Sequence, residues 1–450
     1  MRSIKINLIL MLLTLGSISL QAQDKLSLEA AQSMAVSNHV SIKNSQLEIK
    51  AAQTMKDKAH THYYPQVNFD GFLMHAIDPL MEFGLEGGNL PVYDGNPANL
   101  QTATEFAYFP SSSIGILQKL GLANLSVAQP IYTGGKIKIG NEMADIGIDI
   151  REEQKRLAEK ELLLTTEQQY WQIVSLQEKQ KTIDDFRELL DRLNVQVNDA
   201  YKAGLIIRND VYKVELEQSN LDLNESKFQN GKELALRQFS NTIGVAFDST
   251  LVLEDKLEDY ESPEYYRNIK EGNISNLSEM QLLKKAAEIE NLQIQLKEAD
   301  AKPTVAAGVN AYYLTQFEEN TGGFNGFGFV SVSMPLSHFW MGEHDIEEQK
   351  IKAEIAQNTL EDTEQLLGLR AAKSWTDLKE AYEQIQIIEE RIIQANENFR
   401  VNQSSYNSGV VTLSDLLEAK ALQTQALDDL IEAKTKYKVA IAGYLLYSGR

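Results

Sequence analysis

The chain contains no cysteine in its 450 residues. That removes disulfide frameworks, thiolate metal sites, cysteine nucleophiles and lipid attachment through an N-terminal cysteine. Proline is nearly as scarce: nine prolines and 26 glycines fall mostly into a few short clusters, so long stretches carry no helix breaker. Positive charge is in deficit, with 43 Lys and Arg against 64 Asp and Glu and a net charge of −21. A nucleic-acid binder needs clustered Lys and Arg to displace counterions, so nucleic acid is excluded as a partner. Beyond the N-terminus no apolar run reaches the ~20 residues of a spanning helix. Membrane β-strands carry a much weaker signal, and they stay open. No Gly-rich phosphate loop, nucleophile elbow or catalytic His–acid constellation is present, so neither catalytic residues nor a cofactor are expected. His60, His62, His338 and His344 lack the spacing and carboxylate pairing of a metal site, and no metal is expected.

Residues 1–22 read as a secretory signal peptide. Arg2 and Lys5 give a basic start, Ile6 to Leu15 an apolar centre, and Leu20-Gln21-Ala22 a cleavage site ending in a small residue. The mature protein is therefore expected to be exported, as a periplasmic protein, a secreted one or an outer-membrane β-barrel.

The sequence repeats itself. Val127-Ala128-Gln129-Pro130-Ile131 aligns with Val332-Ser333-Met334-Pro335-Leu336, and the same offset carries Tyr201-Lys202-Ala203-Gly204 onto Tyr406-Asn407-Ser408-Gly409 and Asp210 onto Asp415. A coincident Pro, Tyr, Gly and Asp at one offset marks a duplication: residues 23–243 form the first repeat, 244–276 a linker, and 277–450 the second. Pro65-Gln66-Val67 and Pro303-Thr304-Val305 also correspond, but at a larger offset. The first repeat thus holds an insertion, which falls in the Gly-, Pro-, Asn- and Ser-rich stretch 76–119 and reads as a long loop.

Each repeat opens with a helix, the first capped by Ser27 and broken near Asn38. Two strand-like segments follow, near 65–75 and 121–130 in the first repeat and near 303–314 and 326–335 in the second. Val67 and Phe69 alternate with Asn68 and Asp70, Leu125 and Val127 with Asn124 and Ser126, and Val330 and Val332 with Ser331 and Ser333. Period-two alternation over about ten residues, with Tyr63, Tyr64, Tyr132, Tyr313 and Trp340 near the ends, fits a membrane barrel. It fits an antiparallel sheet of a water-soluble domain equally well. From Lys136 to Tyr201, and again from Glu343 to Tyr406, no proline interrupts the chain. At ~1.5 Å per residue a helix of that length spans about 100 Å, longer than a globular core of this mass accommodates. Each returns through a second helix with Leu, Ile, Val and Ala at coiled-coil-like spacing. Four strands cannot close a barrel, and open edges in lipid leave backbone groups unsatisfied at several kcal/mol each. If the strands span a membrane, several copies must pool them.

This order of elements resembles the TolC family of outer-membrane efflux and secretion ducts. The resemblance covers the mature chain and rests on Ser27-Leu28-Glu29-Ala30, Tyr64-Pro65, Gln129-Pro130-Ile131-Tyr132-Thr133-Gly134-Gly135 and the two Tyr-x-x-Gly turns. It implies a mainly α protein with membrane β-strands: a homotrimer with a 12-stranded outer-membrane barrel in outer-membrane lipid and a long periplasmic α-helical barrel. Its implied partners are a periplasmic adaptor and an inner-membrane pump, and stretch 76–119 becomes an extracellular loop. A non-pore periplasmic coiled-coil scaffold is the rival reading.

The family places its periplasmic entrance and adaptor contacts at the helical tips. Tyr201 with Gly204 and Tyr406 with Gly409 form the turns, and the glycines are expected at positive φ. Leu205, Ile206 and Ile207, with Val410 and Val411, are expected as exposed apolar clusters for adaptor docking. Asp415 and Glu418 share a helix face and match acidic positions that narrow the family's pore, where like-charge coupling between copies would raise their pKa values. Position 213 carries Lys, so the first repeat lacks such a pair. Asp210 and Tyr406 resemble partners in a closed-state latch. The family's latch Arg is replaced by Val411, with Arg208 as the candidate substitute.

Overall fold

The computed structural model describes residues 25–93, 95–116, 118–269, 272–317 and 321–449. The signal peptide at 1–22 lies outside them. The chain divides into two compact units: Met1–Ala52, Gly147–Glu288 and Glu354–Arg450 form the first, and Gln53–Ile146 with Ile289–Ala353 the second.

The helical elements are α1 (Leu28–Asn38), α2 (Val40–Thr61), α3 (Lys136–Lys202), α4 (Arg208–Ile243), the short α5 (Pro263–Asn268), α6 (Ser278–Asp300), α7 (His338–Asn407) and α8 (Leu413–Tyr447). Ser27 caps α1, its Oγ accepting from the Ala30 N–H at 3.3 Å. His39, extended at ψ 137, separates α1 from α2. No helix among the described residues is long and apolar enough to cross a membrane.

Four buried clusters among the described residues hold the first unit together, the smallest being Leu277 and Met280 with Leu367. In the largest, Ala31, Ala35 and Ile42 pack with Leu162, Tyr170, Ile173 and Val174 of α3, Leu236, Phe239 and Ile243 of α4, and Leu253 and Leu257 of the linker. The linker is stitched in by backbone bonds: Leu26 N–H donates to Val252 C=O at 3.1 Å and Glu254 N–H to Leu26 C=O at 3.1 Å. A second cluster joins Leu378, Ala381 and Ile385 of α7 to Ala433, Tyr437, Ile441 and Tyr444 of α8. The third lies at the helical tips and is described below. Burying each large apolar side chain contributes about 1.5–3 kcal/mol, so the i, i+4 apolar stripes are what hold these helices side by side.

The second unit is built on one antiparallel sheet in the order β1 (Gln66–His75), β6 (Lys119–Tyr132), β7 (Thr304–Gln316), β8 (Thr321–Ser333). Its register sorts the side chains. Val67, Val127 and Val309 are opposite one another, as are Phe69, Leu125 and Ala311, and these rows alternate with Asn68, Ser126 and Asn310 and with Asp70, Asn124, Tyr312 and Asn325. One face is therefore apolar, with Val67, Phe69, Leu73, Val309, Phe324 and Val330 exposed, and the other carries the polar rows beside an apolar row of Phe72, Leu122 and Leu314. Phe327, opposite Asn310, and Phe329, opposite Gly308, also interrupt that face, and a Cβ at Gly308 would lie 2.7 Å from the Phe329 ring. β1 and β8 are the outer strands, and among the described residues neither has a strand beyond it.

Stretch 76–119, expected as a loop, holds four short strands: β2 (Met81–Leu85), β3 (Gly88–Pro91), β4 (Phe106–Phe109) and β5 (Ser112–Ile116), with a 3-10 turn at Pro97–Thr102. β2 pairs with β5 and β3 with β4, and Ala76 N–H donates to Gln118 C=O at 2.8 Å, so they prolong the β1–β6 hairpin as a ribbon. Met81-Glu82-Phe83-Gly84-Leu85 is a period-two pattern that the surrounding Gly, Pro and Ser obscure.

The Tyr170 hydroxyl ties helix to linker, 2.8 Å from Leu26 C=O and 2.5 Å from Asp255 Oδ2. The same Asp255 oxygen accepts the Leu28 N–H at the start of α1, at 2.9 Å. Tyr170→Phe leaves these groups short of a partner, at about 1–3 kcal/mol. Amide exchange at residues 26–28 and 253–255 should accelerate by roughly 5- to 150-fold, and unchanged protection there would contradict the tie.

Candidate functional site at the helical tips

Both tips lie in the helical unit. At the end of α3, Gly204 N–H donates to Tyr201 C=O and Leu205 N–H to Ala200 C=O, both at 2.9 Å. At the end of α7, Gly409 N–H donates to Tyr406 C=O and Val410 N–H to Ser405 C=O, again at 2.9 Å. This is the Schellman arrangement, which satisfies the last carbonyls of a helix by placing one residue in the left-handed region. Gly204 has φ +74 and Gly409 φ +71, as the Tyr-x-x-Gly pattern predicts. A Cβ at either would meet nothing within 4 Å, so glycine is required by backbone conformation and not by space.

The tip core joins the two hairpins. Leu189, Leu193 and Val197 of α3 and Val211 and Val214 of α4 pack against Leu413 and Leu416 of α8, with Ile206, Phe399 and Tyr406 half-buried beside them. The apolar residues after each glycine therefore divide. Leu205 and Val410 stay exposed, at 78% and 77%, and Ile207 at 67%. Ile206 turns into the core and Val411 is half-buried, which corrects the expectation that all five project outward. Tyr201 is exposed.

Asp415 and Glu418 are exposed on α8, while Leu413, Leu416, Ala419 and Lys420 fill its buried face. The two acids thus share the outward face. Asp415 has a second task that went unread in the sequence: it is the third residue of a capping box, signalled by Thr412-Leu413-Ser414-Asp415. Its Oδ2 accepts the Thr412 N–H at 2.8 Å and the Thr412 hydroxyl at 2.7 Å, and its own N–H donates to Thr412 Oγ1 at 3.3 Å. The Thr412 side-chain and backbone hydrogen bonds, helped by the charge of Lys213, hold the Asp415 carboxyl below the usual carboxylate range. Within one copy the shift is thus opposite to the rise expected from a ring of acids.

Asp210 and Tyr406 are brought together. Burial, with the nearby Asp210 charge, pushes the Tyr406 phenol up. Arg208 does not join them: its guanidinium lies over the Tyr212 ring, 5.2 Å from the centroid, because residues four apart on a helix share a face. The ion-pair partner of Asp210 is Lys213, with Nζ 3.2 Å from Oδ1. A buried cation beside the tip, Lys420, carries no signal in the sequence. It donates to Gln423 Oε1 at 3.0 Å and lies over the Phe399 ring, and burial lowers its pKa against the pull of Asp185. Among the described residues no group of three or more His, Asp or Glu is placed to hold a metal ion.

Two predictions follow from this geometry. Gly204→Ala and Gly409→Ala should each destabilise their tip by about 1–2 kcal/mol, the cost of a left-handed L-residue, seen as faster proteolysis confined to that hairpin; equal resistance would remove the conformational argument. Thr412→Val should cost the start of α8 about 0.5–2 kcal/mol. The folded Asp415 carboxyl titrates below its unfolded value of ~3.9. Its stabilisation is therefore complete above that pH and lost as pH falls through the lower folded value. Protection of amides 413–416, corrected for intrinsic exchange, should drop over that acidic range in the wild type. In Thr412→Val the drop should be smaller; an identical profile would show that the cap does not hold the helix.

Comparison with known proteins places this arrangement. Residues 276–444 match the family model described as outer membrane efflux protein, a family of transport proteins and not of enzymes. No curated protein matches the chain in sequence. Solved structures match in fold. A membrane protein from Pseudomonas aeruginosa superposes with a TM-score of 0.71 at 14% identity over 95% of this chain and 90% of that one. The outer membrane protein VceC from Vibrio cholerae gives 0.69 at 13% over 94% and 96%. The MtrE outer membrane channel of Neisseria gonorrhoeae, in its open state, gives 0.70 at 13% over 94% and 88%. Residues 276–444 are thus similar to outer membrane efflux proteins, and the chain has the fold of the TolC-family channels.

Proposed function

We propose that the protein is a passive exit duct of the outer membrane, serving an efflux or type I secretion system. The observation that carries this reading is the sheet of β1, β6, β7 and β8, with one apolar face, a second face that carries the polar rows among some apolar side chains, and two outer strands that have no strand beyond them among the described residues. Such a sheet is stable in lipid only when its edges are closed, because no water is there to bond the free N–H and C=O groups. Three copies would supply 12 strands, apolar rows toward outer-membrane lipid and polar rows toward a lumen. The match of residues 276–444 to outer membrane efflux proteins supports the same conclusion. In this reading the ribbon at 76–119 is extracellular and residues 1–22 direct export.

The helical hairpins then extend into the periplasm. Leu205, Ile207 and Val410 are exposed apolar residues on tight turns, suited to docking a periplasmic adaptor that links the duct to an inner-membrane pump. Ile206 and Val411 brace them from behind, and Tyr201, Gly204, Tyr406 and Gly409 fix the turns. Asp415 and Glu418, outward on α8 in each of three copies, would line a constriction that attracts cations and repels anions. Asp210 and Tyr406 form the latch of the closed packing, without Arg208. Adaptor binding would favour the open packing through its differential affinity for the two states.

Planar-bilayer recording tests the reading. The wild type should give small cation-selective currents, and Asp415→Ala/Glu418→Ala should raise conductance and weaken the cation preference. Unchanged currents in the double variant would remove the two acids from the constriction. A folded protein that never inserts would overturn the duct.

A further inference from the structure

Position 213 is one of the places where the charge pattern of the duplicated tips breaks. The repeat offset that carries Asp210 onto Asp415 carries Lys213 onto Glu418, so one repeat presents acid and base where the other presents acid and acid. Lys213 is not a free surface cation. Its side chain is a little over a third exposed, with Nζ 3.2 Å from Asp210 Oδ1. Its helical neighbours Val211 and Val214 are clamped against Leu413 and Leu416 in the tip core. That packing seats Lys213 beside the first turn of α8, near enough for its charge to act on the Asp415 carboxyl. Arg208, another cation of this tip, is engaged with the Tyr212 ring.

We propose that Lys213 is the counter-charge that sets the ion selectivity of the tip constriction, facing Asp210 on its own helix and Asp415 on the other repeat. The inference rests on the duct reading and names the residue that tunes the same acidic site. Counting Asp210, Lys213, Asp415 and Glu418, each copy presents two net negative charges at its tip; an acid at 213, as in the second repeat, would make it four. The duct is therefore moderately cation-selective by construction, because a narrow passage responds to the net fixed charge on its wall and not to acids singly.

The experiment is a reversal-potential measurement across a KCl gradient for the wild type, Lys213→Arg, Lys213→Gln and Lys213→Glu, with thermal unfolding of each detergent-purified variant in parallel. Selectivity for potassium over chloride should rise stepwise from wild type to Gln to Glu, while Lys213→Arg stays at the wild-type value. Asp210→Asn provides the opposite change, shifting the reversal potential toward chloride even if Lys213→Glu fails to fold. A merely structural ion pair would change unfolding temperatures and leave reversal potentials alone. Conducting Gln and Glu variants with the wild-type reversal potential would overturn the role of Lys213 while leaving the duct intact. A folded wild type that gives no channels would overturn the duct, and this role with it.

Discussion

The unpaired outer edges of β1 and β8 are the constraint on which the remaining architecture depends. Each edge is a row of backbone donors and acceptors, and in hydrocarbon each unmatched group costs several kcal/mol. Four strands offer no way to cover both edges within one copy. The sorting of side chains across the sheet, with Val67, Phe69, Val127 and Val309 on one face and the Asn68, Asp70, Ser126 and Asn310 rows on the other beside Phe72, Phe327 and Phe329, makes the first face the one fit for lipid. In the proposed duct, that requirement is met by pooling the strands of several copies around a lumen.

The helical unit answers a different problem, that of keeping long helices in register without a large globular core. It does so with stripes of apolar residues at three- and four-residue spacing, and with a few polar ties where the linker crosses. Tyr170 and Asp255 are one such tie. Lys438 is another: it is buried, donates to the Asp259 carbonyl and lies 4.4 Å from the centroid of the Trp171 ring. Groups like these contribute specificity of register, because apolar stripes alone permit a helix to slip by a turn.

Much of this was legible in the sequence. Period-two alternation falls inside β1, β6, β7 and β8, although β8 begins at Thr321, ahead of the expected segment near 326–335. The two Tyr-x-x-Gly turns were readable because a left-handed residue at a helix end leaves a strong mark. The ribbon inside 76–119 was not, since its strands are four or five residues long and framed by turn formers. The side-chain contacts at the tips are only partly legible. Side-chain direction around a turn decides that Ile206 is half-buried while Leu205 is exposed, and that Arg208 meets Tyr212 instead of Asp210. Burial of Lys420 depends on the neighbouring α3 and α7, which no local pattern reveals. The Thr412–Asp415 box is a short motif whose acid also fits the pore-facing reading, so the sequence does not separate its two roles.

The most direct test of the account is whether the edges of the sheet are closed by other copies of the chain. Native mass spectrometry of the detergent-purified protein, with hydrogen exchange on the same sample, reads both the copy number and the state of β1 and β8. The account predicts three chains per particle, with amides of Gln66–His75 and Thr321–Ser333 protected as strongly as those of the inner strands β6 and β7. A folded single chain, with β1 and β8 exchanging freely while β6 and β7 stay protected, would contradict it.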